Sequence, residues 1–246
     1  MPQRDDAVAL DQADALASFR GEFISSASPA IYADGNSLGP PPVAAVGRLE
    51  ALVAEWANDL TGGWQRWVDL PLQVGDRLGA ACLGAGAGQV VVCDSTSVNL
   101  FKAVNATIDG CDASRHQLIV AADEFPTDRY MLQSIASQRE LTYVMAQSAD
   151  EVVAACGPST AVAVLSAVNY RSGELFDVAT VTERVHAAGA EIVWDLSHAV
   201  GVVPLDLDAW GVRLAVGCTY KYLNGGPGAP AFVYVARAHQ ARLQQP

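Results

Sequence analysis

Ala215-Val216-Gly217-Cys218-Thr219-Tyr220-Lys221-Tyr222-Leu223-Asn224-Gly225-Gly226-Pro227-Gly228 is an apolar run that ends in a small-residue turn, a lysine between two tyrosines and a glycine-rich segment. A lysine at that place has two readings. It is a solvated loop residue, or it is a buried amine whose pKa is lowered by its surroundings and which forms a Schiff base with a carbonyl group. The segments upstream decide between them.

Working back from this stretch, β-rich apolar runs occupy 90–93, 117–122, 141–145, 161–168, 191–194 and 214–218, and one more follows at 232–235. Helical spacing separates most of them, at 97–108, 127–137, 150–156 and 178–188. This alternation predicts an α/β fold with a mostly parallel seven-stranded sheet and helices on both faces. Sheets of that kind carry their chemistry at the carboxyl ends of the strands. Ahead of the alternation, amphipathic helices are predicted over 5–19, 43–60 and 69–83. A loop rich in Gly, Asn and Pro covers 31–42, and Thr61-Gly62-Gly63-Trp64 breaks the pattern between the second and third helices. The natural parse is a helical arm and loop over 1–60 and one large domain over 61–246. Leu83-Gly84-Ala85-Gly86-Ala87-Gly88 resembles a dinucleotide fingerprint in composition only. It follows a helix and precedes a strand, the reverse of what that motif requires, and reads as a helix C-cap and turn.

Composition narrows the function further. Of 246 residues, 51% are hydrophobic and 17% charged, enough for a sizeable core, and the net charge is −12. That balance argues against nucleic acid or an anionic membrane as partner. The apolar runs are too short to span a bilayer, and no basic-plus-apolar leader opens the chain. Five scattered cysteines without C-x-x-C spacing read as reduced thiols, and a cytoplasmic protein is expected. The four histidines form no ligand cluster, so no metal is expected.

The predicted strand ends hold the candidate site. Strand 90–93 runs into Asp94-Ser95-Thr96-Ser97, where hydroxyls and free amides at a helix start cradle a phosphate or simply cap the helix. Strand 117–122 leads to Phe125 and Pro126, where the ring stacks on a flat ligand or packs as a staple. Ser166 lies near the end of strand 161–168 and is a binding hydroxyl or an ordinary strand serine. Asp195 follows Ile192-Val193-Trp194. A carboxylate there is costly to bury without a partner, for which a cationic ring nitrogen is suited; alone, it reads as a helix cap. Each signal has a plain structural alternative. Together they assemble a pyridoxal phosphate site: Lys221 for the Schiff base, Asp195 for the pyridinium nitrogen, Thr96, Ser97 and Tyr220 for the phosphate, and Phe125 for the ring face.

On these residues the chain resembles kynureninase, of the fold-type-I pyridoxal phosphate enzymes with a class V aminotransferase-like fold. The matching segments are Asp34-Gly35-Asn36-Ser37-Leu38-Gly39, Asp94 to Lys102, Phe125-Pro126-Thr127-Asp128, Val168-Asn169-Tyr170 with Gly173, Trp194-Asp195-Leu196-Ser197-His198-Ala199 and Gly217 to Gly228. The resemblance implies catalytic roles for Lys221, Asp195 and Tyr220. It implies cofactor contacts from Thr96, Ser97, Phe125, Thr127, Asp128, Ser166, Asp195, His198, Tyr220 and Lys221, and substrate contacts from Ser37 and Trp64. It further implies hydrolytic cleavage of the Cβ–Cγ bond of L-kynurenine to anthranilate and L-alanine in tryptophan degradation, in a homodimer. The family's C-terminal small domain, with its substrate-carboxylate arginine, is missing from the sequence, so impaired turnover is expected. Two other readings stay open: a cysteine desulfurase or selenocysteine lyase on the same fold, and an inactive cofactor-binding or dimerisation fragment.

Overall fold

The computed structural model describes residues 4–25 and 30–243. Helix α1 (Arg4–Ala13) opens the chain and gives way to a short 3-10 helix, Ala17–Glu22. The single amphipathic helix expected over 5–19 is therefore broken. Asp14 explains the break: its side chain accepts from the Leu16 amide at 2.9 Å and its carbonyl from Ala17 at 3.2 Å, a turn that competes with helix continuation. Helices α2 (Val43–Asp59), α3 (Trp64–Trp67) and α4 (Leu70–Leu78) follow, and α4 runs into a π-helical turn, Gly79–Leu83. Gly84 then adopts φ 59°, the left-handed C-cap that the glycine-rich segment predicts. Among the described residues, α1, the first 3-10 helix and α2 bury none of their side chains.

The body alternates as expected: β1 (Val90–Cys93), α5 (Thr96–Asp109), β2 (Gln117–Ala121), α6 (Pro126–Gln138), β3 (Thr142–Ala146), α7 (Ala149–Ala155), β4 (Thr160–Ser166), α8 (Val178–Ala187), β5 (Ile192–Asp195), β6 (Leu214–Gly217), β7 (Ala231–Val235) and α9 (Arg237–Gln240). All seven predicted strands are present in one sheet of order β1-β7-β6-β5-β4-β2-β3. Only β7 runs against the rest, antiparallel to both β1 and β6.

Burial on both faces explains the near-continuous apolar strands. Along β4, Val162 and Val164 point to a layer formed with Leu100 and Val104 of α5 and Leu132 and Ile135 of α6. Ala163 and Leu165 point to the opposite layer, with Val152 of α7 and Val181 and Val185 of α8. Helix α4 lies so close to β1 that a Cβ on Gly75 would stand 2.1 Å from the Val90 carbonyl oxygen. Among the described residues no helix is long and apolar enough to cross a membrane.

Candidate active site

The carboxyl ends of β1, β2, β5 and β6 converge on a cavity of about 190 Å³ lined by Thr96, Ser97, Phe125, Thr127, Asp128, Asp195, Ser197, His198, Tyr220 and Lys221. A larger cavity of about 330 Å³ lies against β1 and β7, but its walls are mostly aliphatic, with Val91, Val233 and Leu72 among them. Chemistry rather than volume identifies the candidate site.

Lys221 is 8% exposed, which removes the solvated-loop reading. Its Nζ stands 2.8 Å from Nε2 of His198, 5.7 Å from the centroid of the Phe125 ring and 5.8 Å from that of Tyr220. His198 is held below the ordinary histidine range by burial first and by the lysine's charge second, against the opposing pull of Asp195. A neutral imidazole accepts a hydrogen bond from the amine. Tyr170 stacks edge-on against Phe125 at 5.2 Å and lies 6.5 Å from the His198 ring, so it stands behind two rings that line the cavity.

Asp195 closes β5 in full burial. Its Oδ1 accepts from the Ser197 amide at 2.8 Å, so it does cap the following turn, while its other face meets Asp128. Asp128, 2% exposed, is pushed up to about 9, chiefly by burial and then by the charges of Asp195 and Glu124. Its Oδ2 is buried without a hydrogen-bond partner. Burial and the neighbouring acids thus favour the protonated form of Asp128. The Tyr220 hydroxyl is also held above its usual range, by burial first and by Cys218 next, and stays a proton donor.

At the start of α5 the capping duty falls to Ser95, whose hydroxyl accepts from the Val98 amide at 3.3 Å. Thr96 and Ser97 are thereby left to face the cavity from a 14-residue helix N-terminus. Asn99 anchors this helix by donating to the Cys93 carbonyl at 2.9 Å.

Three sequence candidates sit elsewhere. The Ser166 hydroxyl donates to Glu124 rather than lining the cavity. Ser37 donates to Asp34 at 2.7 Å, within its own loop. Trp64 is 66% exposed. The loop of Ser37 is nonetheless tied to the lysine segment, because the Gly39 amide donates to the Tyr220 carbonyl at 3.2 Å and Asn224 donates to the Pro40 carbonyl at 2.8 Å. Sequence reasoning gave no role to Ser197 or Glu124. Ser197 was visible between Asp195 and His198. Nothing in the sequence distinguishes Glu124 from a surface acid.

The profile of the aminotransferase class-V family matches residues 80–246. The chain belongs to that family. Among aminotransferase class-V relatives, the chain is 43% identical over 254 residues to the kynureninase of Burkholderia pseudomallei (strain 1106a), covering 100% of this chain and 61% of the relative. It is 43% identical over 244 residues to the kynureninase of Pseudomonas fluorescens, covering 96% and 58%. The chain thus spans about three fifths of the length of the curated relatives it matches. The fold is similar to that of the cysteine desulfurase CsdA of Escherichia coli, with a TM-score of 0.77, 17% identity, and coverage of 92% of this chain and 59% of that one. It is also similar to the cystine C-S lyase C-DES, with a TM-score of 0.71 and 16% identity over 85% of this chain and 58% of that one. At such identities the likeness concerns the class-V fold alone.

Proposed function

We propose that this chain is the cofactor-holding portion of a kynureninase-type enzyme, which uses pyridoxal phosphate to hydrolyse the Cβ–Cγ bond of L-kynurenine or 3-hydroxykynurenine to an anthranilate and L-alanine. The observation that carries the reading is the buried amine of Lys221 facing Asp195 and His198 across a cavity entered by a helix N-terminus, in a chain 43% identical to proteins named kynureninase. The residues fit the cofactor. A buried Asp128 oxygen lacks a partner, a carboxylate stands at the end of β5, and Thr96 and Ser97 line the cavity at the N-terminus of α5.

Pyridoxal phosphate supplies a ring that withdraws electrons from bonds at the substrate's α-carbon. The chain's residues do the rest. Lys221 would hold the cofactor through its carbonyl carbon, and the Lys221 amine, held at the substrate's α-carbon, would move the proton there. Asp195 would accept from the ring N–H and favour its charged form. Thr96, Ser97 and the first amides of α5 would hold the phosphate. His198, neutral, orients the Lys221 amine, and Phe125 and Tyr170 exclude water from one side. Tyr220, kept protonated, is positioned to hand a proton on beside Lys221. In this reading, 1–60 is an arm, 61–246 is the cofactor-binding body, and the enzyme is a cytoplasmic homodimer of tryptophan degradation.

The test begins with cofactor titration of the purified chain, followed by its visible absorbance, borohydride reduction and mapping of the label. The label is expected on Lys221 and absent from Lys221→Ala. A label that survives that substitution refutes the assignment. L-kynurenine and L-cysteine are then offered in parallel, with anthranilate fluorescence and sulfide release as readouts. Sulfide without anthranilate transfers the chain to the desulfurase class.

A further inference from the structure

Glu124 is the buried acid that the proposed chemistry leaves unused. It is 4% exposed, and burial pushes its carboxyl up, against the lowering effect of its hydrogen bonds to Ser166 and Phe125. Its Oε1 accepts from the Phe125 amide at 2.8 Å and from the Ser166 hydroxyl, and its Oε2 accepts from the Ser166 amide at 2.6 Å. Three donors on one carboxylate satisfy both oxygens, which is what retention of a buried charge demands.

The partners define what the carboxylate does. Phe125 opens the segment that carries Thr127 and Asp128, all three of them cavity residues on the β2 side. Ser166 ends β4 in register with Asp195 of β5, and the next amide, that of Ala167, donates to the Asp195 carbonyl at 2.9 Å. Glu124 therefore connects the segment bearing Phe125 and Asp128 to the strand end that holds Asp195.

We infer that Glu124 is a positioning residue for the cofactor cavity, fixing Phe125 and Asp128 against Asp195 through the end of β4 and adding a negative charge behind them. An apolar side chain here would leave the Phe125 and Ser166 amides without this acceptor, so the tie between the two segments depends on the carboxylate. A carboxylate here also favours cationic forms of whatever ring occupies the cavity. This inference rests on the pyridoxal phosphate reading.

Glu124→Gln keeps the size but replaces one acceptor edge with an N–H₂ that faces an N–H. One hydrogen bond to a charged group is lost and the charge is removed. The expected result is a pyridoxal phosphate dissociation constant raised about tenfold in absorbance titrations. The pH midpoint of the bound cofactor's visible absorbance falls, because one negative charge leaves a pocket that also holds Asp195, Asp128, His198 and Lys221. Amide hydrogen exchange of the cofactor-free protein accelerates at Phe125 and Ser166 but not along β6. Ser166→Ala, which leaves both backbone donors in place, weakens cofactor binding in the same direction by a smaller factor. Wild-type protein that takes up no cofactor sinks the functional reading and this inference with it. Wild type that binds, with Glu124→Gln binding equally well at an unchanged midpoint, overturns the inference alone. So does faster exchange throughout the protein at unaltered cofactor affinity, the mark of a merely structural residue.

Discussion

Replacing Asp128 by asparagine separates what this residue costs the fold from what it offers the site. In the folded chain its carboxyl is pushed from the usual 3.8 up to about 9, with burial the largest cause. A carboxyl raised in this way contributes least instability below its unfolded pKa. Between roughly pH 4 and pH 9 the folded state binds the proton more tightly than the unfolded state, so stability falls as pH rises through that window. At about 1.4 kcal/mol per pH unit, the cost at pH 7 has a ceiling of roughly 4 kcal/mol, part of which belongs jointly to Asp195 and Glu124. Asparagine keeps a donor toward Asp195 and cannot ionise. Asp128→Asn should therefore gain about 1–4 kcal/mol at pH 7 in the cofactor-free protein, a rise of several degrees in Tm at roughly 2–4 °C per kcal/mol. Below about pH 4 the two proteins should converge. Urea denaturation of both, at intervals from pH 4 to 9, reads the difference directly. Parallel pH profiles, or a variant less stable at pH 7, would refute the reasoning.

Two glycines offer further checks. Gly75→Ala drives a methyl to 2.1 Å from the Val90 carbonyl oxygen, an obstacle made of backbone rather than a movable side chain. It should cost about 2–3 kcal/mol, the upper part of the overpacking range, and lower Tm by roughly 5–10 °C in a thermal melt; an unchanged melt would show that α4 does not press on β1. Gly39→Ala places a Cβ 2.5 Å from the Lys221 carbonyl oxygen and 2.6 Å from the Asn224 side chain. Global stability should change by less than about 1 kcal/mol because the loop is largely exposed, whereas borohydride trapping of pyridoxal phosphate on Lys221 should weaken several-fold; equal trapping would detach the loop from the site.

The strands were legible because their runs are apolar throughout, a pattern that only burial on both faces explains. The cavity was legible to the extent that its residues stand at strand ends: Thr96, Phe125, Asp195 and Tyr220 each lie within three residues of the end of an apolar run. Helix α1 was misjudged in length because apolar spacing continues through Leu16 and Phe19, while the competing turn depends on a single side chain, Asp14. Ser166 was placed correctly at its strand end, but the direction of its hydroxyl was not foreseeable. That direction is set by Glu124, 42 residues earlier, and no local pattern reports which acid will reach across two strand ends.

The reversed strand β7 has a consequence for the order of events in assembly. β1 is an edge strand whose hydrogen-bonded neighbour comes from Ala231–Val235, and the Gln89 side chain accepts from the Arg237 amide across 148 residues. Contacts of such separation are the last to close. A ribosome must release the chain beyond Val235 before β1 can pair with β7, and α5 is anchored to the end of β1 through Asn99. The apolar face of α5 packs on β4 and α6, and its first turn gains its tie to a paired β1 only when β7 arrives. Lys221 leaves the tunnel only shortly before β7. The start of α5 and the lysine segment after β6 thus gain their last shared support from one strand, because β7 pairs with both β1 and β6.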